Sequence, residues 1–286
     1  MMSKNQILKQ RSITAFVFGI AVLILLLSGK TGTIALACFI GGFSCYEYVR
    51  MIFHKNKKKL ALSLSIIYFT IVILTTILPT SKFFLSLVFI SCIALIAGIL
   101  NMFYTWIDHK KYFWLVALFY FGLPIGLFIS FVLNNEHHYA PFWIGVIIMI
   151  WMSDSFAYLI GSRIGKRKLF EIISPKKSWE GFLGAGLCTL PAAYFIGIYF
   201  FHDAENMYNL DLNESFNTGF FWVLVASIAW IIGTLGDLVE SSIKRNFNVK
   251  DSGKLLPGHG GVLDRFDSFI YILPFIVFLL LIFSKT

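Results

Sequence analysis

Residues 219–243 read GFFWVLVASIAWIIGTLGDLVESSI. A helix needs ~20 mostly apolar residues to cross ~30 Å of hydrocarbon, and this run is long enough. Its last turns carry Asp237 and Glu240, two acids where lipid would be the solvent. The bulk composition of the 286-residue chain agrees with the run: 58% hydrophobic, 17% aromatic and only 14% charged. A soluble chain has ~45–50% apolar and ~25% charged residues. These figures exclude a disordered chain, a collagen-like chain and a disulfide-stapled mini-domain, and they argue against a water-soluble enzyme.

Outward from this run, the chain divides into nine apolar stretches, near 13–28, 32–52, 60–78, 83–101, 112–133, 141–160, 182–201, 219–243 and 268–284. Backbone groups in lipid must pair within their own segment, so each is expected to be a helix. No ten-residue segments alternate with period two, which argues against a barrel. The expected fold is an all-α, polytopic transmembrane protein of about nine helices. Residues 1–140 (helices one to five) would form a scaffold, and 141–286 (helices six to nine) would carry the working loops. The N-terminal run Ile13–Leu27 lacks a cleavage pattern after it and reads as an uncleaved first helix. Cys38, Cys45, Cys92 and Cys188 lie within apolar runs, form no CxxC pair, and read as small buried hydrophobes.

Charge sets the orientation. With a cytoplasmic N-terminus, 21 of the 24 Lys and Arg residues fall on the cytoplasmic side, a strong positive-inside pattern. The net charge of +9 is therefore largely topological, and the run Lys55, Lys57, Lys58, Lys59 reads as an orientation signal beside anionic headgroups. Nucleic acid is not an expected partner, because no soluble domain presents a basic face.

Two cytoplasmic loops contain more than topology requires. One carries Lys176, Lys177 and Ser178. The other carries Lys244, Arg245, Lys250 and Asp251, then Gly258, His259, Gly260 and Gly261, then Asp264, Arg265 and Asp267. The flanking helices hold Asp154, Asp237 and Glu240 inside apolar sequence. A mid-helix carboxylate costs ~2.5–3.5 kcal/mol on insertion scales unless paired or solvated. Asp237 and Glu240 are three apart, as are Asp264 and Asp267, so each pair shares a face if helical. Asp154 and Asp237 each lie six residues before the expected helix end, about 9 Å inside it. Asp154, Asp237, Asp264 and Asp267 could thus converge on one pocket at the cytoplasmic boundary. Clustered carboxylates repel without a cation between them, and oxygen-only ligands suit Mg2+. One or two cations are expected on Asp237, Asp264 and Asp267. Lys and Arg side chains with a Gly-rich backbone suit phosphates. Together these are the parts of phosphoryl or nucleotidyl transfer. No GxxxxGK[ST] run is present. The bland readings are a salt bridge for Asp154 and a turn role for His259.

The stretch from Ser241 through Lys244-Arg245, Lys250-Asp251 and Pro257-Gly258-His259-Gly260-Gly261 to Asp264-Arg265-Phe266-Asp267 resembles the phosphatidate cytidylyltransferase (CDP-diacylglycerol synthase) family. Asp154 with Ala157, Tyr158 and Gly161 resembles it too, as do Ser174–Lys177 with Glu180-Gly181, and Gly236-Asp237 with Glu240-Ser241. The family often has Thr where Ser178 stands. The likeness is dense over 154–267; residues 1–140 agree in hydropathy alone. The resemblance implies a multi-pass cell-membrane enzyme with its site on the cytoplasmic side. It would transfer CMP from CTP to phosphatidate with Mg2+, giving CDP-diacylglycerol and pyrophosphate. It implies catalytic roles for Asp237, Asp264 and Lys244. Substrate contacts would come from Lys176, Lys177, Ser178, Arg245, Lys250, Asp251, Gly258, His259, Gly260, Gly261 and Arg265. Membrane lipid and a homodimer partner are further implied partners, although no small-xxx-small seam compels dimerisation. Two rivals are a transporter for an anionic lipid or metabolite, which predicts an inverted repeat not seen here, and another CTP-using membrane enzyme such as a polyprenol kinase. The residues leave open the roles of Asp154, Glu180 and Glu240, what reads the cytosine ring, and the acyl-chain preference.

Overall fold

The computed structural model of the chain describes residues 4–53, 62, 65, 66, 70, 81–104, 108, 109, 111–134, 140–201, 217–255 and 260–283. The helices are α1 (Lys4–Leu27), α2 (Gly29–Phe53), α3 (Ser81–Tyr104), α4 (Phe113–Asn134), α5 (Ala140–Ile164), α6 (Trp179–Phe200), α7 (Thr218–Asn246) and α8 (Leu263–Phe283). Within α4, Leu118–Gly122 winds as a wider π-helical turn. Helices α2 to α8 are long and apolar enough to cross a membrane, and α1 adds an apolar segment over Phe16–Leu27. The protein is thus an all-α, multi-pass membrane protein. All but positions 62, 65, 66 and 70 of the expected helix at 60–78 fall outside the described residues, as does nearly all of the acidic loop near 202–218.

Aromatic and hydrogen-bonded contacts tie the bundle together. Trp143 of α5 packs on Phe128 of α4 at 4.5 Å between ring centroids, and Phe142 packs on Trp222 of α7 at 5.5 Å. Hydroxyls and an indole N–H on lipid-length helices need internal acceptors. Trp230 Nε1 donates to Phe182 O of α6 (2.8 Å), Ser268 Oγ to Gly233 O (3.0 Å), and Tyr271 of α8 to Leu95 O of α3 (2.7 Å). One apolar core runs through both halves of the chain, from Leu36 and Phe128 to Phe221 and Leu273. All four cysteines are free; Cys45 is buried and the other three are half-buried.

Three helix ends beside the acids depart from the hydropathy boundaries, and α1 starts at Lys4, well before the expected 13. α8 begins at Leu263, so Asp264 and Asp267 stand in its first turns rather than in the loop before it. α5 runs to Ile164 and α7 to Asn246, past their apolar runs. Asp154 and Asp237 therefore lie ten and nine residues from those ends, ~15 and ~13 Å by helical rise rather than the ~9 Å expected. Polar residues extend a helix that hydropathy alone ends too early. A short antiparallel hairpin, β1 (Lys168–Phe170) and β2 (Ser174–Ser178), fills the connection between α5 and α6. Its strands are too short and too basic to show a period-two pattern, so the sequence reading contains no hint of it.

Candidate active site

The hairpin is locked onto α6 by local chemistry. Ser178 caps the helix, its hydroxyl accepting from Gly181 N at 3.2 Å. Glu180, in the first turn, accepts from the N–H groups of Lys166 (3.0 Å) and Arg167 (3.1 Å). The role of Glu180 is thus to hold the entry to β1 against α6. The same lock turns Lys177 toward α7, where its Nζ lies 2.7 Å from Asp237 Oδ2 and 3.3 Å from Thr234 O.

On α7 and α8 the carboxylates converge. Oxygens of Asp237, Glu240 and Asp267 all lie within 4.8 Å of one another. Asp237 and Glu240 share one face of α7, as their spacing predicts, and Asp267 meets them from the second turn of α8. Glu240 is buried. It forms an ion pair with Lys244 Nζ (2.5 Å). Three converging carboxylates, Glu240 buried and Asp237 and Asp267 half-buried, fit a hard divalent cation.

Asp264 stands beside this triad. Its Oδ1 accepts from Lys244 Nζ (2.7 Å), and its Oδ2 from Gly261 N (2.7 Å) and Ser252 N (2.9 Å). Of the metal ligands expected from sequence, Asp237 and Asp267 are therefore in the convergent group. Glu240 takes the third corner, while Asp264 ties Lys244 to the α7–α8 connection. Gly260 bends that connection at φ +88°, a conformation that favours glycine.

Two cavities meet at the acids. The larger, about 470 Å3, is lined by Asp154, Asp237, Asp251, Asp264 and Asp267 together with Lys244 and Arg265. Its lining also includes apolar side chains, Phe18 and Val22 of α1 and Ile147, Ile150 and Trp151 of α5. The smaller, about 270 Å3, lies under the hairpin and is lined by Lys176, Lys177, Ser178, Tyr158 and Phe182. Asp154 and Asp237 line both. Lys250 is exposed and lines neither cavity, nor does Arg245, whose guanidinium reaches Val249 O (3.2 Å) and, more loosely, Ile173 O (3.5 Å). Gly258 and His259 lie outside the described residues. Sequence reasoning missed Glu47 of α2, which accepts from Ser252 Oγ, Val262 N and Leu263 N. A lone acid near the end of an apolar helix was the available signal, the same one that marks Asp154.

The shared position of Asp154 gives a test that separates site from scaffold. Asp154→Asn is expected to express and insert like the parent and to lose on the order of tenfold to a hundredfold in turnover. Expression is read by detergent extraction and size exclusion, turnover by liponucleotide formation; lost expression would instead make Asp154 a packing residue.

The cytidylyltransferase family model matches residues 9–283. A protein of Bacillus subtilis (strain 168) named phosphatidate cytidylyltransferase is 34% identical over 285 residues, covering 97% of this chain and 99% of its own. One of the same name from Staphylococcus haemolyticus (strain JCSC1435) is also 34% identical, covering 96% of this chain and 99% of its own. A third, from Staphylococcus aureus (strain COL), is 40% identical over 172 residues, 59% of this chain and 58% of its own. With the match running nearly end to end and the acid-lined double cavity inside it, the chain belongs to the cytidylyltransferase family.

Proposed function

We propose that this protein is a phosphatidate cytidylyltransferase, joining CTP to phosphatidate to release pyrophosphate and leave CDP-diacylglycerol in the membrane. The relatives that match over their full length carry that name. The observation that carries the reading is the pair of cavities meeting at Asp154 and Asp237. A two-substrate transfer between a water-soluble polyanion and a lipid phosphate needs one apolar approach and one basic approach to a common point. The α1–α5 wall suits acyl chains, and the hairpin side with Lys176 and Lys177 suits the triphosphate.

The larger cavity holds five carboxylates against Lys244 and Arg265. Two polyanionic substrates would be repelled there unless a cation offset the surplus. Mg2+ held by Asp237, Glu240 and Asp267 would supply that charge between the reacting phosphates. Lys177, on the smaller cavity, and Arg265, on the larger, neutralise phosphate oxygens. The phosphatidate phosphate is already anionic at neutral pH, so its oxygen attacks the α-phosphorus of CTP without a dedicated base. The new P–O bond forms as the bond to the bridging oxygen breaks, and pyrophosphate leaves. We assign the site to the cytoplasmic side, supported by the distribution of Lys and Arg and by the cytosolic location of CTP. The first half of the chain acts mainly as scaffold, with α1 lending the apolar wall. Homodimer assembly, which the family resemblance implies, is read by the mass of the detergent-solubilised protein.

Membranes containing the protein, given phosphatidate and CTP labelled on the α- or the γ-phosphate, are expected to place only the α-label in lipid and to release the γ-label as pyrophosphate. Transfer of the γ-label to lipid would make the protein a kinase. Label in neither product would favour transport.

A further inference from the structure

Glu47 is 2% exposed and lines neither cavity, yet three hydrogen-bond donors converge on its carboxylate. We propose that Glu47 is a positioning residue for the transfer reaction: its carboxylate clamps Ser252, within the α7–α8 connection, to the start of α8 and so fixes Asp251 and Asp264 against the larger cavity. The proposal rests on the phosphatidate cytidylyltransferase reading for the step it serves.

Both carboxylate oxygens face the start of α8, and Oε2 also reaches back to Ser252. Oε1 accepts from Val262 N at 3.1 Å, and Oε2 accepts from Leu263 N at 2.9 Å, both at the start of α8. The first N–H groups of a helix have no partner within it, and they favour negative charge. Buried as these are, they must be paired from outside. Ser252 Oγ, earlier in the connection, lies 2.7 Å from Glu47 Oε2 and 3.0 Å from Asp264 Oδ2; with one proton it donates to one at a time. Gly261 passes so close that a Cβ there would overlap both Glu47 Oε2 and Ser252 Oγ. The connection is shaped around a carboxylate at this point.

Asp264 makes the same bridge one layer nearer the cavity, accepting from Ser252 N and Gly261 N. Glu47 and Asp264 therefore staple the same two strands of chain. Asp264 also holds Lys244, and Lys244 holds Glu240 of the acidic triad. A shift of Ser252 or Val262 is transmitted along that chain of contacts to the oxygens that converge on Asp237. Glutamine cannot substitute. It has one acceptor oxygen, and its NH2 would face a donor.

Glu47→Gln, in the full chain purified in detergent, is expected to lower kcat by about thirtyfold while the KM for phosphatidate stays within twofold, in the range seen when supports of a metal site are removed. Amide hydrogen exchange at Val262 and Leu263 should accelerate, with exchange in α6 unchanged. Ser252→Ala should lose less, and adding it to Glu47→Gln should cost less than the product of the two single losses. Parental kcat in Glu47→Gln overturns the proposal. So does a loss accompanied by faster exchange throughout the bundle, which would make Glu47 a general stability residue. If Glu47→Gln does not insert, Ser252→Ala alone decides, with an unchanged kcat counting against the clamp. A parent protein that forms no CDP-diacylglycerol would overturn the functional reading instead, while exchange at Val262 and Leu263 would still report whether Glu47 holds the connection.

Discussion

Asp237→Asn is expected to leave a folded, membrane-inserted protein that makes CDP-diacylglycerol on the order of 10²–10³-fold more slowly than the parent. Asp237 occupies the most connected point of the site. It forms one corner of the oxygen triad with Glu240 and Asp267, it pairs with Lys177 of the hairpin at 2.7 Å, and it lines both cavities. The amide keeps the size and one oxygen, so packing on α7 is preserved. It loses the negative charge, and with it both the attraction for a divalent cation and the pull that holds Lys177 in place. The Mg2+ concentration giving half-maximal rate should therefore rise along with the fall in kcat. Initial rates measured across a Mg2+ series check both effects. A variant within tenfold of the parent at every Mg2+ concentration would remove Asp237 from the metal set.

Local features of the chain were legible before the fold was known. The run at 219–243 announces a membrane helix by its own composition, and the spacing of Asp237 and Glu240 places them on one face whatever packs against α7. The meeting of Asp237 with Asp267 followed from topology, since α7 and α8 are joined by a short connection. What could not be read were side-chain directions set by the folded surroundings. Arg245 has the charge of a phosphate ligand, but its guanidinium faces the carbonyls of Val249 and Ile173. Asp264 has the spacing of a metal ligand, but Lys244, Ser252 and Gly261 already occupy its oxygens. Glu47 meets its partners across more than 200 positions, and no spacing rule reaches that far. The hairpin depends on Glu180 and Ser178 locking it to α6 rather than on strand propensity.

Lys244→Met should be the most destabilising single change at the site. Lys244 is 8% exposed and lies between two carboxylates, 2.5 Å from Glu240 and 2.7 Å from Asp264. Methionine preserves much of the volume, so the loss is chiefly electrostatic: two buried acids face each other without their cation. Breaking a buried pair by removing one partner costs ~3–5 kcal/mol, because the remaining charge is left uncompensated. A clear drop in the thermal midpoint in detergent is expected, together with loss of turnover. The two effects have different origins and can be separated. Adding Glu240→Gln removes one of the stranded charges and should restore much of the thermal midpoint. It should not restore turnover, because Glu240 is a corner of the oxygen triad. If activity returned with stability, Lys244 and Glu240 would be a structural pair, and the chemistry would have to rest on Asp237 and Asp267 alone. If neither returned, the main partner of Lys244 would be Asp264, and its principal role would be to anchor the α7–α8 connection.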